Sequence, residues 1–109
     1  FIKYDIPDHP WTKCAADLFQ LCGHYYLLVV DFYSKFITVE KLDNAQSKTV
    51  ISKLKKIFSQ FGIPKLLFTD NGPEFSSHYF HQFSKFWDFE HATISSHYHQ
   101  SNGLVERSI

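Results

Sequence analysis

The run Tyr25 to Val30, YYLLVV, sets six apolar residues in a row. A run of that length, rich in aromatic and β-branched residues, reads as a buried strand, and Asp31 ends it. Its neighbours in sequence carry the same signal. Lys13 to Phe19 (KCAADLF) reads as a strand, followed by a turn around Gly23 in QLCGH. After the short turn FYSK, Phe36 to Leu42 (FITVEKL) alternates as a third strand. Three successive strands joined by short turns make an antiparallel meander.

The pattern then changes period. Val50, Ile51, Leu54, Ile57, Phe58 and Phe61 fall on one face of a helix running to about Phe61. Asp43, Asn44 and Ser47 offer N-cap oxygens. Lys53, Lys55 and Lys56 lie mostly off the apolar face and read as solvated. Gly62-Ile63-Pro64 ends the helix, and Lys65 to Thr69 is a short fourth strand. Ser76 to Trp87 reads as a second helix capped by Ser76 or Ser77, with Tyr79, Phe80, Phe83, Phe86 and Trp87 as its core stripe. His91 to Thr93 is a fifth strand. ISSHYHQSNG is loop-like, and LVERSI begins a further helix. A helix crossing from a meander to a later strand allows parallel pairing, so the fold class is α/β, a mixed five-stranded sheet with helices packed on it.

With 109 residues the chain makes one small domain. Residues 1–12, broken by Pro7 and Pro10, read as a lead-in, and 13–109 as the domain, with Trp11 packing at its edge. The opening residues are unlike a signal peptide, and the absence of any Met marks an excised piece of a longer chain. No apolar run approaches the roughly 18 residues of a membrane span, so no membrane is expected. Lys+Arg 11 balances Asp+Glu 11, so local patches and not net charge decide whether nucleic acid is bound. Cys14 and Cys22 supply neither a disulfide framework nor a CxxC pair, so a structural zinc is not expected.

Three carboxylates stand out. Asp17 lies between Ala16 and Leu18 in a strand that should be largely buried, where it must be paired, cation-bound or neutralised. Asp70 ends the fourth strand, and functional groups gather at such strand ends. Glu106 lies on the last helix beside Leu104-Val105. Together they could surround a divalent cation, Mg²⁺ or Mn²⁺ by the hardness of the oxygens. Asp31, also at a strand end, is the rival to Asp17. Eleven acidic residues always contain some trio, so position alone does not establish a metal site.

Local motifs add to this. PW (Pro10-Trp11), ADLF (Ala16 to Phe19), YYLLVVDFYSKF (Tyr25 to Phe36), FGIPKLLFTDNGPEF (Phe61 to Phe75) and QSNGLVER (Gln100 to Arg107) resemble the catalytic core of retroviral and long-terminal-repeat retrotransposon integrases, the Ty3/gypsy type above all. The family signature is two Asp and a Glu, with 35 residues before the Glu, and 35 residues separate Asp70 from Glu106. The resemblance implies an RNase H-like fold and a polynucleotidyl transferase using two Mg²⁺ (or Mn²⁺). Asp17, Asp70 and Glu106 would be the catalytic metal ligands, since Asp31 falls in the VDxxSK stretch outside the triad. Such enzymes trim the 3′ ends of element DNA and join them to target DNA. DNA, a homo-oligomer and a nuclear location follow from the same resemblance.

Asn71 and Gly72 would shape the turn that aims Asp70. Gln100, Asn102 and His97 are the candidates for DNA contact. Ser101 and Asn102 also suit a cap for the Glu106 helix, and His97 and His99 suit a solvated loop. The sequence departs from the family in two places. Ser96 and His99 stand where prolines are usual, and a Gly usual before the fifth strand is missing from FWDFEH. The alternative reading is therefore a domesticated, catalytically inactive integrase-derived domain that binds nucleic acid or protein. The family core also continues past the Glu helix, so the chain reads as C-terminally truncated.

Overall fold

The computed structural model describes residues 11–94. The helix expected from LVERSI, Glu106, Gln100, Asn102, His97 and the lead-in before Trp11 lie outside the described residues. In chain order the elements are β1 (Lys13–Leu21), β2 (His24–Asp31), β3 (Ile37–Leu42), α1 (Ser47–Phe61), β4 (Leu66–Asp70), α2 (Pro73–Ser76), α3 (His78–Trp87) and β5 (Glu90–Ile94). They form one five-stranded sheet ordered β3-β2-β1-β4-β5. β1, β2 and β3 pair antiparallel, while β4 runs parallel to β1 and β5 parallel to β4. The meander and the crossover match the sequence reading.

The β1–β2 hairpin closes in two residues. Leu21 pairs with His24, and both Cys22 (φ 52°) and Gly23 (φ 80°) take positive φ. Two successive left-handed residues match the twist of the flanking strands, which is why such a short loop serves.

Strand alternation sorts the sheet into two faces. Cys14 and Ala16 of β1, Leu27 and Val29 of β2 and Leu67 of β4 are buried in one core with the apolar residues of the helices. From α1 the core takes Val50, Ile51, Leu54, Ile57 and Phe58. Burying each such side chain contributes about 1.5–3 kcal/mol. Phe58, Phe80, Phe83 and Phe89 form its aromatic centre, with Phe83 and Phe89 ring centroids 5.1 Å apart in an edge-to-face arrangement. Burial raises the Cys14 thiol to about 12, helped by the charge of Asp31, so it stays protonated. Among the described residues no helix is long and apolar enough to cross a membrane.

Several local expectations are corrected. Neither Asp43 nor Ser47 caps α1. Its N-cap is Gln46, without a side-chain bond, and Asn44 Oδ1 instead accepts from Gln46 N and Thr49 Oγ1. Phe61 leaves the α1 core stripe and packs tilted against Trp11 at the helix end, 5.1 Å between ring centroids. The helix expected over Ser76–Trp87 forms as α3, capped by Ser77, one of its two expected caps, which is extended (φ −73°, ψ 161°) and accepts from Phe80 N; the short α2 before it was not expected. Phe80 and Phe83 face the core, whereas Tyr79 and Phe86, seven apart, share the outer face, and Phe86 is 90% exposed. Lys48 lies over the Tyr79 ring and Lys55 over Trp87, at 4.8 and 6.0 Å from the centroids. Lys56 pairs with Glu40 at 3.2 Å.

Asp31 closes the meander onto the start of β1. It is fully buried. Its Oδ1 accepts from Trp11 N at 2.7 Å and Tyr33 N at 3.4 Å, and its Oδ2 from Ser34 N at 3.1 Å and Ser34 Oγ at 2.7 Å. Trp11 is buried too, and its indole donates to Gly62 O at 2.5 Å. Burial by itself would raise the Asp31 pKa. The bonds from the Ser34 hydroxyl and from the Trp11, Ser34 and Tyr33 amides outweigh it and hold the carboxyl below its ordinary 3.8.

Asp31→Asn should therefore destabilise the fold by about 2–3 kcal/mol, since an amide NH₂ facing the Ser34 donors cannot accept from them. The pH dependence follows from the depressed folded pKa. Above 3.8 both states are ionised and the stabilisation is fully present. As pH falls below 3.8 the unfolded chain protonates first, and the stabilisation is lost down through the folded pKa. Urea titrations of wild type and Asp31→Asn from neutral to acid pH should converge at the low end.

Candidate active site

The β1·β4 ladder places the two described carboxylates. It pairs Lys13 with Leu66, Cys14 with Leu67 and Ala15 with Phe68. Asp17 lies two residues past Ala15, and Asp70 two residues past Phe68. Residues two apart on a strand share a face, and paired residues of parallel strands point the same way. Asp17 and Asp70 thus stand on one face, next to each other on neighbouring strands, at the same end of the ladder. It is the face away from α1, α2 and α3. Leu28, opposite Asp17 on β2, and Phe68, stacked on Phe32 at 5.6 Å, belong to it too.

Asp17 is not the interior carboxylate expected from CAADLF. Its side chain is exposed, because β1 carries it on the face that α1, α2 and α3 do not cover. Its tolerance inside an apolar run needs no buried partner; Oδ1 accepts from Leu18 N at 3.0 Å. Asp31 projects from the other face with Leu27 and Val29, and its oxygens are taken up by the turn.

Asp70 ends β4, and its Oδ1 accepts from Gly72 N at 3.0 Å. This turns the chain sharply into α2, whose first residue is Pro73, a position where a missing N–H costs nothing. Gly72 has φ −66°, open to any residue, so what it supplies is space. A Cβ there would meet Glu74 Oε2 at 2.6 Å and Asp70 Oδ1 at 3.1 Å. Glu74 thereby enters the site as a second carboxylate close to Asp70. Its position four residues on in TDNGPEF was the available signal, obscured because a residue in the first turn of a helix reads as a dipole partner.

The donor set is hard oxygen. Asp17 and Asp70 each accept one backbone N–H on Oδ1 among the described residues, which orients the group and leaves the second oxygen for a ligand. Magnesium keeps several waters and takes one or two protein carboxylates, so this pair fits it. Among the described residues no three His, Cys, Asp or Glu side chains are grouped to hold a metal ion by themselves. Glu106, Gln100, Asn102 and His97 lie outside the described residues.

Comparison with known proteins identifies the family and the fold. Residues 7–99 match the family model described as Integrase core domain. The uncharacterized Caenorhabditis elegans protein K02A2.6 is 35% identical over 107 residues, 97% of this chain and 8% of its own length. The retrovirus-related Pol polyprotein from transposon 297 of Drosophila melanogaster is 37% identical over 71 residues, 65% of this chain and 7% of its own. The chain thus spans under a tenth of these relatives. The catalytic core domain of BIV integrase (crystal form I) superposes with a TM-score of 0.73 at 20% identity, over 89% of this chain and 63% of that one. The fold is the RNase H-like fold of that core.

Gly72→Ala tests the crowding at the turn. Glu74 can swing its carboxylate away, but Asp70 Oδ1 is tied to the Gly72 amide. The single variant should lose about 1 kcal/mol, and Gly72→Ala with Glu74→Ala should recover part of that loss relative to Glu74→Ala alone. A double-mutant cycle by thermal melting reads the coupling.

Proposed function

The chain belongs to the integrase core domain family, and from that premise we propose that it is the catalytic core of a metal-dependent enzyme that integrates the DNA of a Ty3/gypsy-type retrotransposon. In this reading it trims the 3′ ends of linear element DNA with water, then joins each new 3′-OH to target DNA. The observation that supports it is the β1·β4 register, with Asp17 and Asp70 two residues beyond Ala15 and Phe68 on the same face.

The ligands in this reading are Asp17, Asp70 and Glu106, the last by its 35-residue interval from Asp70. Bound Mg²⁺ or Mn²⁺ supplies Lewis-acid charge for the attacking and leaving oxygens of phosphoryl transfer. The chain's own part is to aim the acids. The Gly72 amide holds Asp70 Oδ1 and the Leu18 amide holds Asp17 Oδ1, so each carboxylate presents its other oxygen without rotating freely. Gln100, Asn102 and His97 contact DNA, the protein acts as a homo-oligomer, and the work is done in the nucleus.

Asp70→Asn and Asp17→Asn test the reading in the full-length enzyme with element-end and target DNA in Mg²⁺. Losing a ligand worth several kcal/mol lowers strand transfer by about 10³-fold or more. Circular dichroism should be unchanged, because both side chains lie on the side of the sheet away from α1, α2 and α3. Wild-type strand transfer by either variant refutes the assignment. A wild-type protein that binds DNA but joins none supports the domesticated alternative, which the Ser96 and His99 replacements favour.

A further inference from the structure

Asp70 is held from two sides, and only one of them is its carboxylate. Thr69, 2% exposed, turns its hydroxyl toward the core. Thr69 Oγ1 donates to the Asp70 carbonyl at 2.8 Å and lies 2.7 Å from His91 Nε2. A hydroxyl has one proton. Because that proton goes to Asp70 O, the oxygen must accept from His91, and His91 must carry its proton on Nε2. In the β4·β5 ladder His91 pairs with Leu67 and Thr93 with Thr69, so His91 and Thr69 are diagonal neighbours on the core face.

The imidazole is itself fixed. It stacks on Phe80 at 4.7 Å between centroids with an interplanar angle of 26°. Phe80 is fully buried and held edge-on by Phe75 and Phe83 at 5.4 and 5.5 Å. Burial lowers the His91 pKa and favours the neutral ring. A continuous path thus runs from the aromatic core through His91 and Thr69 to the last carbonyl of β4. That carbonyl belongs to the Asp70–Asn71 peptide, whose orientation decides where the Gly72 amide meets Asp70 Oδ1.

We propose that His91 is a positioning residue for Asp70: through Thr69 it holds the peptide that aims the carboxylate at the cation, without touching the cation or DNA. This rests on Asp70 being a cation ligand. Support of this kind is worth about 10–100-fold in metal affinity at other sites.

The test uses the full-length protein with Mn²⁺ alone, followed by calorimetry, and ¹⁵N NMR of the histidine rings in the wild type. His91→Phe keeps the stack and removes the donor, and should weaken Mn²⁺ binding about tenfold. His91→Gln returns a donor near the Nε2 position and should recover most of the affinity, a rescue that a purely packing role would not show. Asp70→Asn is the reference for the site. If it loses Mn²⁺ while His91→Phe binds as wild type, the positioning role fails and the cation reading stands. If Asp70→Asn binds as wild type, the cation reading fails, and the positioning role with it. Should His91→Phe not fold, Thr69→Val takes its place with the same expected loss, and wild-type affinity overturns the proposal. Should that variant also fail to fold, the wild-type spectrum decides: an Nε2–H ring supports the relay, and an Nδ1–H ring overturns it.

Discussion

Among the described residues, three pairs join the two halves of the sheet. The meander β1–β2–β3 and the parallel half β4–β5 meet in the ladder through Lys13↔Leu66, Cys14↔Leu67 and Ala15↔Phe68. Two further amides, Lys65 N and Leu66 N, donate to Thr12 O at 2.9 and 3.2 Å just before the ladder begins. So short a junction holds because Cys14 and Leu67, at its centre, are fully buried beneath the helices. Water cannot compete for those backbone groups, and leaving them unpaired would be expensive. The same register sets Asp17 beside Asp70. Stability and site geometry are therefore one constraint, and a slip of one residue would send the acids to opposite faces.

Around that junction the chain divides its carboxylates by face. Asp31, on the helix side, is surrounded by donors and serves the turn that ties Trp11, β2 and the end of α1 together. Asp17 and Asp70, on the other side, each take a single backbone donor and keep an oxygen free of bonds among the described residues. A carboxylate enclosed by three amides and a hydroxyl has no lone pair to offer a cation, whereas a carboxylate with one amide is oriented and still open. The aromatic core takes part in this division through the stack of Phe80 on His91 and the bonds from His91 through Thr69 to the carbonyl of Asp70.

The element types were readable from periodicity, because most strands and α1 are long enough to show it. YYLLVV became β2, the stripe from Val50 to Phe58 became the buried face of α1, and LLFTD became β4. The misreadings occurred where apolar character suggested burial. Phe86 was placed on the core stripe of α3, yet it falls on the outer face and is exposed. Asp17 looked buried because its sequence neighbours are apolar. A strand shows alternate residues to opposite faces, and the sequence does not say which face the described helices will cover.

The sequence by itself determined the order of strands and helices, the turn chemistry of Cys22-Gly23 and of Asp70 to Pro73, and the family motifs. All of these are local, set by side-chain period, backbone preference and residue identity over a few positions. Only the tertiary structure decided that Asp31 is a structural acid and Asp17 an exposed one, that Glu74 crowds Gly72, and that His91 reaches Thr69. Each of those depends on pairing or packing between parts of the chain, or on the path of the backbone through a turn. A one-residue change of register would alter the pairings while leaving every local signal the same.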